Sequence, residues 1–430
     1  MKAEYIAIGT ELLIGHVVNT NAAYLSEELN AIGISTYYHV TVGDNHERII
    51  DSLKLAASRS DIIICTGGLG PTSDDITHEV IADFAEAPLL ENAQQKEIIK
   101  AKFLKTKRAI PENNFKQAMI PENSIIIPNP VGTAVGIILD YHYKVSETEI
   151  KSVKIITFPG VPCEMEAMFQ ATVKDYLADY LREQETVGAI VSEKIKFINI
   201  GESRMAELIG DEIFAGANPS VAPYATLGEC YVRITSKAAS EAEAYELMQP
   251  VKQQIEEKMQ DYIYAYGDLT VPELLAAKLK ENSLSIAFAE SCTGGLLSKA
   301  MTDLPGASAY TKLNLVTYSN EAKVEILGVE EQSLDEFGAV SEEVAKEMAL
   351  GLEKISKADI NVSITGIAGP DGGSEDKPVG TIFIAINYRE QLVSQQLDWY
   401  ARTLSRAQVR ELACLKTLYE VLKLLNSSNP

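Results

Sequence analysis

The sequence predicts an α/β protein in three parts: a parallel-sheet domain over residues 1–170, a small α+β middle domain over 171–265 and a second α/β domain over 266–430. Three observations support this. Strand and helix patterns alternate through the first part and resume from Leu284, as when helices cover both faces of a mostly parallel sheet. Between them the order loses that regular alternation. A chain of 430 residues is also too long for one ordinary core.

In the first part, EYIAIG (4–9) reads as a strand and NTNAAYLSEELNAIGI (19–34) as a helix ending at Gly33. DIIICTGG (61–68) is a buried strand running into glycines. SDDITHEVIADFA (73–85) reads as a helix that its own Ser and Asp can cap. KIITFPGVP (154–162) is a strand stopped by Pro-Gly. The middle part opens with a helix, TVKDYLADYLREQ, then a strand (EKIKFINI), a helix, a strand (GECYVRITSK) and a long helix from about Ser240 to Met259. The third part enters through YGDLTVPELLAAKLKENS. It continues with the strands SIAFAE, LNLVTYS, NVSITG and TIFIAIN, each set among helices, and closes on a helix from about Ser405.

A hydrophobic fraction of 46% supports real cores, and a net charge of −23 argues against a nucleic-acid partner, which needs clustered Lys and Arg. The N-terminus reads as a strand rather than a signal peptide, and no apolar run is long enough to span a bilayer, so no membrane partner is expected. Five scattered cysteines without a CxxC pair suit a reducing cytoplasm and no structural zinc site.

AFAESCTGG (287–295) raises the sharpest chemical question. Ser291 stands where a strand gives way to a helix, a place where open α/β sheets bind ligands. Thr293, Gly294 and Gly295 follow it; glycines let a ligand approach backbone N–H groups, which suits a phosphate or an oxyanion. Simple helix capping by Ser and Thr explains the same residues equally well. All five histidines precede residue 143, so a Ser–His–Asp triad within the third part is excluded. A lysine held neutral by desolvation is the workable base, and LVTYSNEAK supplies Lys323 with Tyr318 five residues before it. Cys292 is a rival nucleophile that reads better as packing. SITGIAGPDGGSEDKPVGT (363–381) is a glycine-rich loop; Thr365, Gly366, Gly372 and Gly373 are its candidate ligand contacts. Arg402, Arg406 and Arg410 share one helical face, either as a phosphate clamp or as a solvated surface.

AESCTGG, TYSNEAK, GAVSEE and the glycine-rich loop together closely resemble the nicotinamide-nucleotide amidase domain, and the whole chain resembles the competence/damage-inducible CinA family. The resemblance implies that Ser291, Tyr318 and Lys323 deamidate nicotinamide mononucleotide to nicotinic acid mononucleotide and ammonia, with no cofactor. It also implies a homodimer and a recombinase partner. One departure is visible: where many relatives carry Gly-Asp-Arg, this chain has Leu404-Ser405-Arg406, followed by Arg410.

Four loops of the first part share a design. GTELLIG carries Glu11; TGGLGPTSDDIT carries Gly67, Gly68, Gly70, Thr72, Asp74 and Asp75; PNPVGTAVG carries Gly132; FPGVPCEM is a further strand-end turn. The glycines suit a nucleotide phosphate, and two adjacent carboxylates suit a divalent cation, although Asp74 and Asp75 could instead cap a helix. These loops resemble the molybdopterin-binding fold. Within CinA-type chains the resemblance implies hydrolysis of ADP-ribose to AMP and ribose 5-phosphate with Mg, Mn or Co. The middle part resembles a KH-type segment, but IGES and AGAN lack the basic clamp that RNA needs, so a spacer or dimer-forming role is expected. The competing readings are a pterin- or nucleotide-binding module without turnover and an adaptor in DNA uptake.

Overall fold

Strands buried on both faces read as continuous apolar runs, and Ile62–Thr66 is buried at every residue. Alternate side chains explain where they go. Ile62 and Ile64 join Ala3, Tyr5 and Leu25 in one apolar cluster, while Ile63 and Cys65 join Ile6, Ile49 and Leu53 in another on the opposite face. The computed structural model describes residues 1–106, 109–183, 189–389, 391–397 and 403–427. Its contacts divide the chain into two units, 1–192 with 235–248 and 193–234 with 249–430.

The first unit carries a six-stranded sheet in the order Ser35–Val42, Lys2–Ile8, Ile62–Thr66, Ile150–Phe158, Gly136–Lys144, Ile125–Ile127. The first four strands are parallel and the last two pair antiparallel, so one end of the sheet departs from the parallel expectation. Gly136–Lys144 was not legible as a strand because its burial changes from continuous to alternating half-way along. A second correction concerns the helix predicted from Ser73. It begins at Thr77, with no side-chain cap, and Asp74 and Asp75 stand in the preceding turn. Helix Lys174–Glu183, read from sequence as part of the middle segment, places Leu177 and Leu181 in the same cluster as Ile62 and Phe158.

The middle sheet runs Ser220–Thr226, Glu229–Lys237, Ile190–Ile198, Ile263–Tyr266. In the second unit a five-stranded sheet follows the order Thr311–Val316, Ile286–Glu290, Ile360–Gly366, Ile382–Tyr388, Gln391–Gln396, the first three parallel and the rest antiparallel. Ile286–Glu290 lies between two parallel neighbours and is wholly buried. Ile286 and Phe288 pack with Leu275, Leu279, Val409 and Leu418. Ala287 and Ala289 pack with Val344, Met348 and Leu352 on the other face. Each such large side chain contributes ~1.5–3 kcal/mol on full burial. The helix Val271–Glu281 starts on a capping box, with Thr270 accepting from the Glu273 amide and Glu273 reaching back to Thr270. Among the described residues no helix is long and apolar enough to cross a membrane.

Candidate active site

The second unit's site grows from two neighbouring strand ends. The Ser291 amide donates to Ile364 O at 3.0 Å, carrying the ladder one residue past the strand Ile286–Glu290. Beside it, the Thr317 amide donates to Glu290 O at 2.9 Å, just beyond Thr311–Val316. Ser319 then caps the helix Asn320–Leu327 and so fixes Lys323 in its opening turn.

Lys323 is only 1% exposed. Its Nζ lies 3.1 Å from Ser291 Oγ, 2.9 Å from Thr317 O and 3.1 Å from Tyr318 O. No carboxylate forms an ion pair with it among the described residues, and burial holds its pKa below the ordinary lysine value of 10.5. A neutral amine has two N–H donors and one lone pair. Three oxygens suit both forms: an ammonium donates to all of them, and a neutral amine donates to the two carbonyls and leaves its lone pair for the serine O–H.

Tyr318 behaves differently. Its ring is 59% exposed, and its hydroxyl accepts from Arg406 Nη2 at 3.0 Å. Only its backbone carbonyl meets Lys323. The tyrosine therefore joins the arginines rather than the Ser–Lys pair. Arg406 Nη1 also donates to Gly369 O at 2.6 Å, while Arg410 donates to Cys292 O at 3.1 Å and Thr293 O at 2.6 Å. The two arginines thus bind the loops that surround Ser291. Arg402 lies outside the described residues.

Cys292 packs into the core at 4% exposure, and burial pushes its thiol up to about 12, which disfavours a thiolate nucleophile and fits a packing role. The expectation that amides from Thr293 to Gly295 hold an oxyanion needs correction. The wholly buried Glu290 carboxylate accepts from the Gly295 amide at 2.9 Å, Leu297 at 3.1 Å, and the Ser298 amide and hydroxyl at 2.8 and 2.6 Å. The Gly294 amide donates to Ser291 O. A buried carboxylate requires donors, and the opening amides of helix Leu296–Thr302 are the nearest supply. Gly295, at φ +98°, makes the left-handed bend that brings them round.

Thr365 and Gly366 are likewise structural. Thr365 is buried and donates to Ala339 O at 2.7 Å, and a Cβ on Gly366 would stand 2.2 Å from Ile382 Cδ1. Gly372 and Gly373 lie exposed in the loop.

In the first unit, strand ends meet at a cleft of about 520 Å³. Glu11, Gly67, Gly68, Gly70, Asp74 and Asp75 line it; Thr72 and Gly132 are not among its described lining residues. Thr72 donates through its amide to Asp75 Oδ2 at 2.9 Å and through its hydroxyl to both aspartates. That contact helps hold Asp74 ionised, its pKa below the usual carboxylate value. Gly67, at φ +100°, has no room for a side chain, since a Cβ would lie 2.0 Å from Ile8 O. A Cβ on Gly132 would collide with the Glu164 carboxylate.

Three descriptions of known families match in order along the chain: "Probable molybdopterin binding domain" over residues 4–179, "Damage-inducible protein CinA KH domain" over 192–265 and "CinA C-terminal domain" over 268–425. Over 386 residues the chain is 45% identical to a CinA-like protein of Gloeothece citriformis, covering 90% of each. Over 396 residues it is 44% identical to a protein of Clostridium beijerinckii named as competence-damage inducible, covering 92% of this chain and 93% of that one. The chain belongs to the CinA family. A crystal structure of a competence/damage inducible protein from Agrobacterium tumefaciens matches 37% of this chain and 99% of that chain at 37% identity, with a TM-score of 0.35.

Three participants in this CinA-family chain escaped the sequence reading. Glu290 organises the Ser291 turn, and its signal was an acid closing an otherwise apolar strand, IAFAE. Asp44 and Glu164 join Glu11, Asp74 and Asp75 in the N-terminal cleft. Glu164 sits in the FPGVPCEM turn already singled out, without having been named itself, and Asp44 lies in a loop outside the four.

Proposed function

We propose that the C-terminal part of this CinA-family protein is a nicotinamide-nucleotide amidase. The observation that carries the reading is the 3.1 Å contact between Lys323 Nζ and Ser291 Oγ, with the amine buried among carbonyls and its pKa depressed. Lys323 takes the Ser291 proton as Oγ bonds to the carboxamide carbon, and the carbonyl π pair moves onto oxygen. The Gly294 and Gly295 amides are already engaged and do not serve that oxyanion. Collapse breaks the C–N bond, Lys323 returns the proton to the leaving nitrogen, and ammonia departs. Water then cleaves the ester to the acid and regenerates the serine. Arg406 and Arg410, each with N–H groups beyond those already used, supply positive charge for a nucleotide phosphate at the rim. The test is ammonia release from nicotinamide mononucleotide by the full chain. Ser291→Ala is expected to lower the rate ~1,000-fold or more; a variant within threefold of the parent refutes the scheme.

The N-terminal cleft supports a second, separate reading as a metal-dependent ADP-ribose pyrophosphatase. Among the described residues five carboxylates line it (Glu11, Asp44, Asp74, Asp75 and Glu164) and no Lys, Arg or His does. A phosphate-bearing ligand entering such a cleft needs a cation to offset the charge. The oxygen-only donor set suits Mg²⁺, Mn²⁺ or Co²⁺ shared with ligand phosphates, since no group of three or more His, Cys, Asp or Glu among the described residues forms a cage of its own. Asp74 and Asp75 would hold that cation, which would neutralise the diphosphate. Incubation with ADP-ribose and each metal is expected to yield AMP, and Asp75→Asn to reduce it at least ~10-fold. No AMP from the parent with any of the three ends this reading.

A further inference from the structure

The glycine-rich segment is a folded tongue rather than an open loop. The Gly380 amide donates to Ile367 O at 2.8 Å and the Ile367 amide to Thr381 O at 2.9 Å, which closes its base. Its tip, residues 371–376, is exposed, and Ala368 alone of the tongue joins the core cluster beneath. With so little apolar anchoring, polar contacts must hold it. One is at the base, from Arg406 to Gly369 O. The other is near the tip: Lys377 Nζ donates to Phe337 O and Val340 O, both at 2.7 Å.

That second contact is specific in form. The carbonyls belong to the turn after helix Glu331–Phe337, the negative end of its dipole, and no carboxylate pairs with Lys377 among the described residues. The ammonium is engaged by backbone and points away from any role as a free binding charge. Ser374 closes a local turn around the same lysine, its hydroxyl accepting from the Lys377 amide at 3.0 Å. The turn that receives Lys377 is itself tied to the site strand, since Thr365 donates to Ala339 O. One strand residue earlier, Ile364 O accepts from Ser291. Tongue, turn and site strand are therefore one hydrogen-bonded unit, and the tongue's Gly369 carbonyl aims Arg406, which in turn holds the Tyr318 hydroxyl.

We propose that Lys377 is a positioning residue that docks the glycine-rich tongue on the Phe337–Val340 turn and thereby fixes Arg406 and Tyr318 for nucleotide binding. The substrate part of this inference rests on the amidase reading. Lys377 touches neither Ser291 nor Lys323, so its loss weakens binding and leaves the chemical step.

The experiment compares the full-length parent with Lys377→Met and Lys377→Arg by two measurements. One is amide hydrogen exchange over residues 367–380 without ligand; the other is kcat and KM for nicotinamide mononucleotide. Lys377→Met is expected to speed exchange in the tongue at least ~10-fold, raise KM ~10-fold and leave kcat within about threefold. Lys377→Arg, which can still donate to both carbonyls, is expected to restore both. Unchanged exchange in Lys377→Met overturns the docking role. Faster exchange with unchanged KM, or a fall in kcat alone, overturns the positioning role. A parent that releases no ammonia refutes the amidase reading instead, and the exchange measurement alone then decides whether Lys377 docks the tongue.

Discussion

Lys323→Met is expected to abolish ammonia release, with a loss of ~1,000-fold or more, while the protein stays at least as stable as its parent near neutral pH. The two halves come from the same cause. In the proposed scheme the catalytic form is the neutral amine, so the parent's rate should fall as pH drops through the depressed pKa of Lys323. For stability the sign follows from proton binding. The folded-state pKa lies below the unfolded value of 10.5, so between the two the unfolded chain binds more protons and stability rises with pH. At neutral pH a buried lysine is therefore a burden, and methionine, similar in length and apolar, removes it. Thermal melting across pH 7–10 checks this: the parent's midpoint should climb more steeply with pH than the variant's. A variant that retains activity, or one that melts far below the parent at pH 7, contradicts the neutral-base assignment.

Glu290→Ala is expected to be the most destabilising single change at the site. It leaves three amides and one hydroxyl that now donate to the carboxylate without a buried acceptor. Each orphaned buried donor costs ~1–3 kcal/mol. Partial relaxation still leaves a loss on the order of 4 kcal/mol, or roughly 10 °C in melting midpoint for a domain of this size. Glu290→Gln keeps the shape but points its NH₂ group at N–H donors, so it should fall between parent and alanine. Differential scanning calorimetry reads both. An alanine variant melting within about 2 °C of the parent would show that the carboxylate does not organise the turn.

Much of this was legible in the sequence because local rules decided it. Two-sided burial made Ile62–Thr66 and Ile286–Glu290 readable as parallel strands, and the stretch YGDLTVPELLAAKLKENS does lead into a helix, which begins at Val271. The absence of histidine beyond residue 142 pointed to an amine base, and Lys323 does stand beside Ser291. What was not legible depends on partners distant in sequence. Thr365 turns to a carbonyl 26 residues away, and the Tyr318 hydroxyl meets Arg406, 88 residues on; Glu290 is local, but its claim on the amides five to eight residues ahead follows from its burial, which the sequence does not print. Asp74 and Asp75 looked like helix caps, yet the helix begins only after them because Thr72 gathers both carboxylates into its own turn.

The helix Arg406–Ser427 has a consequence for biosynthesis. Its two leading arginines fasten the loops around a serine translated more than a hundred residues earlier, and its Val409, Ala413 and Leu418 complete the core under that serine's strand. While this stretch is still inside the ribosome, the nascent chain can fold its first unit but cannot assemble Ser291 and Lys323 on their finished support. The Ser291–Lys323 site is therefore completed late, after nearly all of these residues have emerged.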